Sequence, residues 1–349
     1  MRYKYLDVAK GITLVFILMA HSCGFPFGIG VYCASYFVSF FFVTSGYLQK
    51  DIKPNREYIY KRFCRIIIPY FGYNLLIFLI YTIWNGFASM QDAVKAAVGV
   101  AYSSYCLYFP IETENNIFFF QIKNNPTWFL TAFFCANLLF LFYVRYCTKA
   151  IDKIIIFLLF IVITQILYYC PVFLPWNIDK AFIGADFIIF GYELGMHSEG
   201  IKRFGVKECT FLLFLLILYK ILIDYNPGIS LSTREYGAHG VFSVCMCLII
   251  GVIGSIICTL YSWLINKIPC VGTLFALIGK ESLAIMSMHL ILFYIFDQIM
   301  ELIMYNEHIH RYYWGISIFR IWITCMIILG ASYGVQYIKA RKKRKDVVG

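Results

Sequence analysis

The strongest constraint on this chain is a series of apolar runs of membrane-crossing length, separated by short clusters of lysine and arginine. A hydrocarbon core takes about 20 apolar residues of helix to cross. Such runs fall at 8–26, 29–48, 66–84, 127–145, 154–174, 178–196, 209–224, 240–261, 280–300 and 316–338. Backbone polar groups inside lipid must be bonded within the chain, so segments of this kind fold as helices. The reading is an all-α polytopic membrane helix bundle of about ten transmembrane helices. No polar block separates the runs, so residues 1–338 are expected to form one integral membrane domain, with 339–349 a basic tail. Composition agrees, with 61% hydrophobic and 14% charged residues against about 25% charged in soluble chains.

The net charge of +11 does not indicate nucleic acid, because the basic residues cluster between apolar runs instead of sharing one soluble face. With the N-terminus inside, most of the 30 Lys and Arg fall in cytoplasmic segments, as the positive-inside rule requires. Both termini are then cytoplasmic, and the tail reads as a retention and anionic-lipid signal. Lys220 lies within the seventh run, and Arg234 and Arg320 count with the outer side. Arg2 and Lys4 ahead of an apolar stretch give the outline of a signal peptide. Asp7 and Lys10 interrupt its onset, however, and His21 stands where a cleavage site needs small neutral residues. The first span is expected to be retained. The 13 cysteines form no CxxC pair and read as small apolar core residues.

Ionisable groups inside membrane spans are costly and tend to mark function. Lys10 and His21 return to within about 20° of one helix face, roughly 16 Å apart along the axis. Asp7 lies within about 40° of His21 on that wheel. A histidine titrating near neutral pH at this position suits a general base, and His21 with Asp7 are the catalytic candidates. Arg62 and Arg65, one turn apart ahead of Pro69, suit an anionic group such as a phosphate. Lys50, Lys53 and Arg56 read as topological anchors. Ser282 and His289 lie seven residues apart on one face of the ninth run, and Asp179, Asp186 and Glu193 form an acidic stripe on the sixth. Asp186, nearest the midplane, is its functional candidate; bridging to Lys180, Lys220 or Lys10 is the structural alternative. Trp128 opens the fourth run, where a tryptophan is most often an interface residue. His308 and His310 have no third ligand in reach, so no metal site is expected. The segment 94–108 either lies flat on the membrane or dips into it. Walker, dinucleotide and HExxH motifs are absent.

Taken in order, several segments resemble the acyltransferase family 3, bacterial integral membrane enzymes that O-acylate surface polysaccharides and related glycans. Leu6-Asp7-Val8-Ala9-Lys10-Gly11 leads to His21 with a basic-x10-His spacing. Ser39-Phe40-Phe41-Phe42-Val43-Thr44-Ser45-Gly46-Tyr47-Leu48 is similar to the family's FFF-x-x-SGY stretch, which brings in Ser45. Arg62 to Pro69 resembles its R-x-x-R…P entry to the third span, Thr127-Trp128-Phe129-Leu130 its WFL motif, and Gly279-Lys280-Glu281-Ser282-Leu283 to His289 its late segment. Lys10 stands where many members carry arginine, and Glu281 where asparagine is commoner.

The resemblance implies an acyl-coenzyme A donor, most often acetyl-CoA, presented from the cytoplasm, and no tightly bound cofactor. Lys10, Arg62 and Arg65 would hold its anionic head. His21 would act as general base on an acceptor hydroxyl, or be acylated itself in a two-step transfer. The acceptor class is a cell-surface or lipid-linked glycan. Ten spans and the acidic stripe leave a second reading open, a transporter or flippase for a lipid-linked sugar or anionic solute.

Overall fold

The computed structural model describes residues 3–22, 29–50, 52–86, 89–103, 125–198, 200–201, 203–303 and 314–348. In chain order the helices are α1 (Lys4–Ser22), α2 (Ile29–Tyr47), α3 (Arg56–Asn85), α4 (Met90–Tyr102), α5 (Trp128–Tyr146) and α6 (Ala150–Tyr168). They continue with α7 (Ile178–His197), α8 (Val206–Tyr225), α9 (Ser243–Ile265), α10 (Pro269–Lys280), α11 (Ser282–Ile303) and α12 (Trp314–Val348). The described strands are a two-residue pair, β1 (Ile229–Ser230) antiparallel to β2 (Glu235–Tyr236).

Among the described residues, eight helices are long and apolar enough to cross a membrane: α1, α2, α3, α5, α6, α9, α11 and α12. The protein is thus a multi-pass membrane protein. The other two predicted spans are also helices, α7 and α8, each of 20 residues, but each carries four charged side chains. In α8 two of these, Lys220 and Asp224, pair with each other at 2.5 Å near its C-terminal end. α4, at 13 residues, reaches only about 20 Å and is too short to span. It lies along α3, where Tyr70 Oη donates to the Val100 carbonyl at 2.6 Å. Helix α12 runs unbroken through the expected start of the tail. The histidines at 308 and 310 lie outside the described residues.

Burial follows the apolar patterning. Isoleucines and leucines of α6 such as Ile151, Ile155, Leu158 and Ile166 are exposed, as a lipid-facing helix requires. α7 is buried along most of its length and packs against α2, α5 and α6. α1 is enclosed by α2, α9, α10, α11 and α12.

Two pairs of glycines set these central contacts. A Cβ on Gly11 would stand 2.0 Å from the Phe275 carbonyl oxygen, and one on Gly279 would stand 1.9 Å from that of Asp7. At the α2–α7 crossing, Gly46 faces the Ile188 carbonyl and Gly191 that of Val43. Without a hydrophobic force between helices in lipid, such backbone-to-backbone approach supplies much of the packing attraction. The glycines of the Lys10-Gly11, Ser45-Gly46 and Gly279-Lys280 motifs are therefore contact points of the bundle. Gly279→Ala is expected to lower the melting temperature of the detergent-solubilised protein, since overpacking costs typically about 1–3 kcal/mol. An unchanged melting curve would contradict that close approach.

Candidate functional site

The N-terminal end of α1 and the C-terminal end of α2 meet through Tyr3 and Tyr47, with ring centroids 6.2 Å apart. The chain then turns into α3, and the junction encloses a cavity of about 570 Å³. Its wall includes Lys50, Lys53, Lys61 and Arg62, with Gln49 and Tyr58 between them and Glu57 beside Lys61. Inside this wall runs a hydrogen-bonded network. Arg62 Nε donates to Tyr58 Oη at 3.0 Å, and Tyr58 Oη donates to Gln49 Oε1 at 2.6 Å. Gln49 Nε2 in turn donates to Ser45 Oγ at 3.0 Å and to the Ser45 carbonyl at 2.9 Å. Tyr58 Oη also lies 3.1 Å from Oδ1 of Asn137, a fully buried residue midway along α5. The polar edge of the cavity thus reaches into the middle of the bundle.

The sequence places Arg62 and Arg65 on one face; the structure separates them. Residues Phe63–Ile67 form a turn of π-helix, closed by the Ile68 N–H on the Phe63 carbonyl. Pro69 accounts for the turn: it has no N–H for the carbonyl four residues earlier and its ring crowds that carbonyl, so the helix widens to relieve both. Arg62 consequently lines the cavity, whereas Arg65 is exposed and is not part of its wall. Lys50 and Lys53, expected as anchors alone, do line it. Lys10 is half-buried and Asp7 buried within α1, and neither contributes to the cavity wall.

His21 sits in the last turn of α1, with its side chain exposed. Its ring lies 5.2 Å, centroid to centroid, from that of His289 in α11, tilted by 41°. His289 is fully buried. Its Nδ1 lies 2.9 Å from the Met286 carbonyl and 3.2 Å from that of Ile285, and its Nε2 has no hydrogen-bond partner among the described residues. Ser282, at the start of α11, is seven residues and about 10 Å of helix away, and marks the α10–α11 junction.

One residue beyond His21, Arg320 of α12 fastens the end of α1. Its Nη2 donates to the Ser22 carbonyl at 3.0 Å and to Ser22 Oγ at 2.7 Å, and its Nε to the same hydroxyl at 3.1 Å. Nη1 donates to both carboxylate oxygens of Asp297 in α11, at 2.5 and 2.7 Å. The guanidinium lies 4.6 Å over the Phe293 ring, which meets His289 edge-on at 5.7 Å. Three helices are thereby joined around the histidine pair. A signal for Arg320 existed in the sequence: it falls inside its own predicted span, where an ionisable residue is costly. Nothing in the sequence linked it to Ser22 or Asp297.

The acidic stripe of α7 resolves into three separate environments. Asp179 is buried 3.5 Å from Arg234 Nε. Arg234 reaches over from the β1–β2 connection and also donates to the carbonyls of Leu167, Val172 and Cys170. Glu193 pairs with Lys153 at 2.7 Å and accepts from Tyr143 Oη at 2.7 Å. Asp186 is fully buried, and neither carboxylate oxygen has a hydrogen-bond partner among the described residues; nothing in the structure explains it. Trp128 is buried rather than at an interface, with Lys180 Nζ 5.0 Å over its ring. Lys180 Nζ donates to Asn177 Oδ1 at 2.6 Å, and Asn177 Nδ2 to the Trp128 carbonyl at 3.2 Å. Trp128 is part of this packing.

Membrane-length helices packed around interior polar groups define a multi-pass membrane protein. The model of the acyltransferase family 3, described as an acyltransferase domain, matches residues 3–335. The chain belongs to this family, and the match supports membrane acyltransferase activity. No curated protein and no solved structure matches the chain significantly.

Proposed function

We propose that this protein transfers an acyl group, most often acetyl, from a cytoplasmic acyl-coenzyme A to a hydroxyl of a cell-surface or lipid-linked glycan. The observation that carries the reading is the accessible His21 ring, held against buried His289 at one end of α1 while a basic cavity opens at the other. Tyr3 of the cavity wall and His21 are separated by about 27 Å of helix. The cavity suits the donor's phosphates, with Arg62 presenting a guanidinium fork and Lys50, Lys53 and Lys61 adding charge. Lys10, deeper in α1, would add positive charge along the donor's path, and Arg65 would act from the exposed face of α3. The long pantetheine arm would carry the thioester past the Asn137 level toward His21. There a ring nitrogen of His21 takes the acceptor hydroxyl's proton as the oxygen attacks the thioester carbonyl. The C–O bond forms, the C–S bond breaks, and the proton passes to the departing thiolate. Asp7, buried nearly four turns of α1 from the ring, is left a role in the α1–α10 packing. Both termini would face the cytoplasm of an inner membrane, with the tail against anionic lipid.

The test is turnover of labelled acetyl-CoA by the purified protein in detergent or nanodiscs, with a glycan acceptor. Arg62→Ala is expected to raise KM for the donor about tenfold or more with a smaller change in kcat, as loss of a charge-assisted contact made in ground and transition states requires. A drop in kcat alone would remove Arg62 from donor binding. In the α7 stripe, Asp179 is taken up by Arg234 and Glu193 by Lys153, so the transporter reading draws no support from these two.

A further inference from the structure

We propose that His289 is the positioning partner of His21, an uncharged hydrogen-bond acceptor that fixes which nitrogen of His21 is the base. The inference rests on the reading of His21 as the base. Two carbonyl oxygens face His289 Nδ1, at 2.9 and 3.2 Å, so Nδ1 carries the proton and Nε2 the lone pair. That lone pair is fully buried and without a partner among the described residues, an arrangement folded proteins rarely leave unused. The ring it meets is that of His21, at 5.2 Å. That is roughly the separation an N–H···N bond of about 2.9 Å requires once two ring radii are added. A small rotation of the accessible His21 ring completes the bond. His21 then donates one N–H to His289, which leaves its other nitrogen unprotonated and aimed away, where an acceptor hydroxyl can approach. When His21 takes that proton, the imidazolium's N–H becomes a stronger donor and the bond to His289 tightens; no proton moves to His289.

The surroundings fit an orienting rather than a charged partner. α2 and α9, packed on α1, carry no charged residue, and α10 carries only exposed Lys280. On α12, Arg320 is engaged with Ser22 and Asp297. On α11, Asp297 lies eight residues beyond His289 and Glu301 is exposed. On α1 itself Asp7 and Lys10 lie about 16–21 Å from His21 along the axis. The orienting acceptor is therefore neutral.

The experiment compares wild type, His289→Phe and His289→Gln in purified form, with melting curves as the folding check. His289→Phe keeps the ring's volume and is expected to lower kcat about 30-fold or more with donor KM unchanged. It should also move the acid limb of the rate profile to lower pH, because the acceptor that favours protonated His21 is gone. His289→Gln, which restores an acceptor, should recover part of both. An independent readout is carbethoxylation of His21 in the resting protein, followed by peptide mass spectrometry. It should slow several-fold in His289→Phe and recover in His289→Gln. Unchanged modification and an unmoved acid limb in a folded His289→Phe would overturn the proposal. Should His21→Ala retain activity, the reading of His21 falls instead. An inactive His21→Ala beside a fully active His289→Phe removes only His289.

Discussion

His21→Ala is expected to lower acyl transfer by about 10²–10⁴-fold, the range that a positioned general base contributes, while the protein remains folded. The ring lies at the end of α1 and is exposed, so its removal opens no cavity in the core. KM for the donor should hold steady, because the basic cavity is at the opposite end of the helix. Labelled-donor turnover beside a melting curve checks both parts. Full activity in the variant would exclude His21 from the chemistry. Trapping of an acyl group on His21 in the wild type would show that it is the nucleophile of a two-step transfer rather than the base.

The second large effect is expected at Arg320. Removing one partner of a fully buried ion pair costs about 3–5 kcal/mol. The Asp297 carboxylate keeps 34% exposure, so Arg320→Leu should cost about 2 kcal/mol, below that range. The catalytic loss should be larger than this stability change suggests. The same guanidinium holds the Ser22 carbonyl and hydroxyl, and a displacement of about 1 Å at a reacting group can cost 10²-fold in rate. Arg320→Lys keeps the charge but cannot fork across both partners, so it should restore melting temperature more fully than kcat. Equal recovery of both would argue for a purely structural role.

Arg62 illustrates how much of the site could be read in advance. Its charge, its place at the head of the third span and Pro69 are all plain in the sequence. That Pro69 widens the helix into a π turn and parts Arg62 from Arg65 follows from a backbone choice among several that relieve the same clash. Tyr58, Gln49 and Asn137 gave no signal, because a tyrosine or amide in a chain this aromatic is unremarkable until its neighbours are known. Trp128 gave the wrong one: a tryptophan opening a span resembles a belt residue, and only the fold of α7 brings Lys180 over its ring.

What the sequence determined by itself is the class of fold: apolar runs of spanning length leave the backbone no alternative to helices. It also marked the ionisable residues that lipid would not tolerate without use, His21 and His289 among them. Tertiary structure decided which of these meet. Helical periodicity relates residues within one span, and by it Lys10 and His21 share one stripe of α1. It carries no information on which face of α1 turns toward α11, or how deep each helix sits. Those are set by Gly11 and Gly279, which let α10 close on α1, and by Arg320, which fastens α1 to α11 and α12. Through these contacts, residues more than 250 positions apart in the chain become one histidine pair.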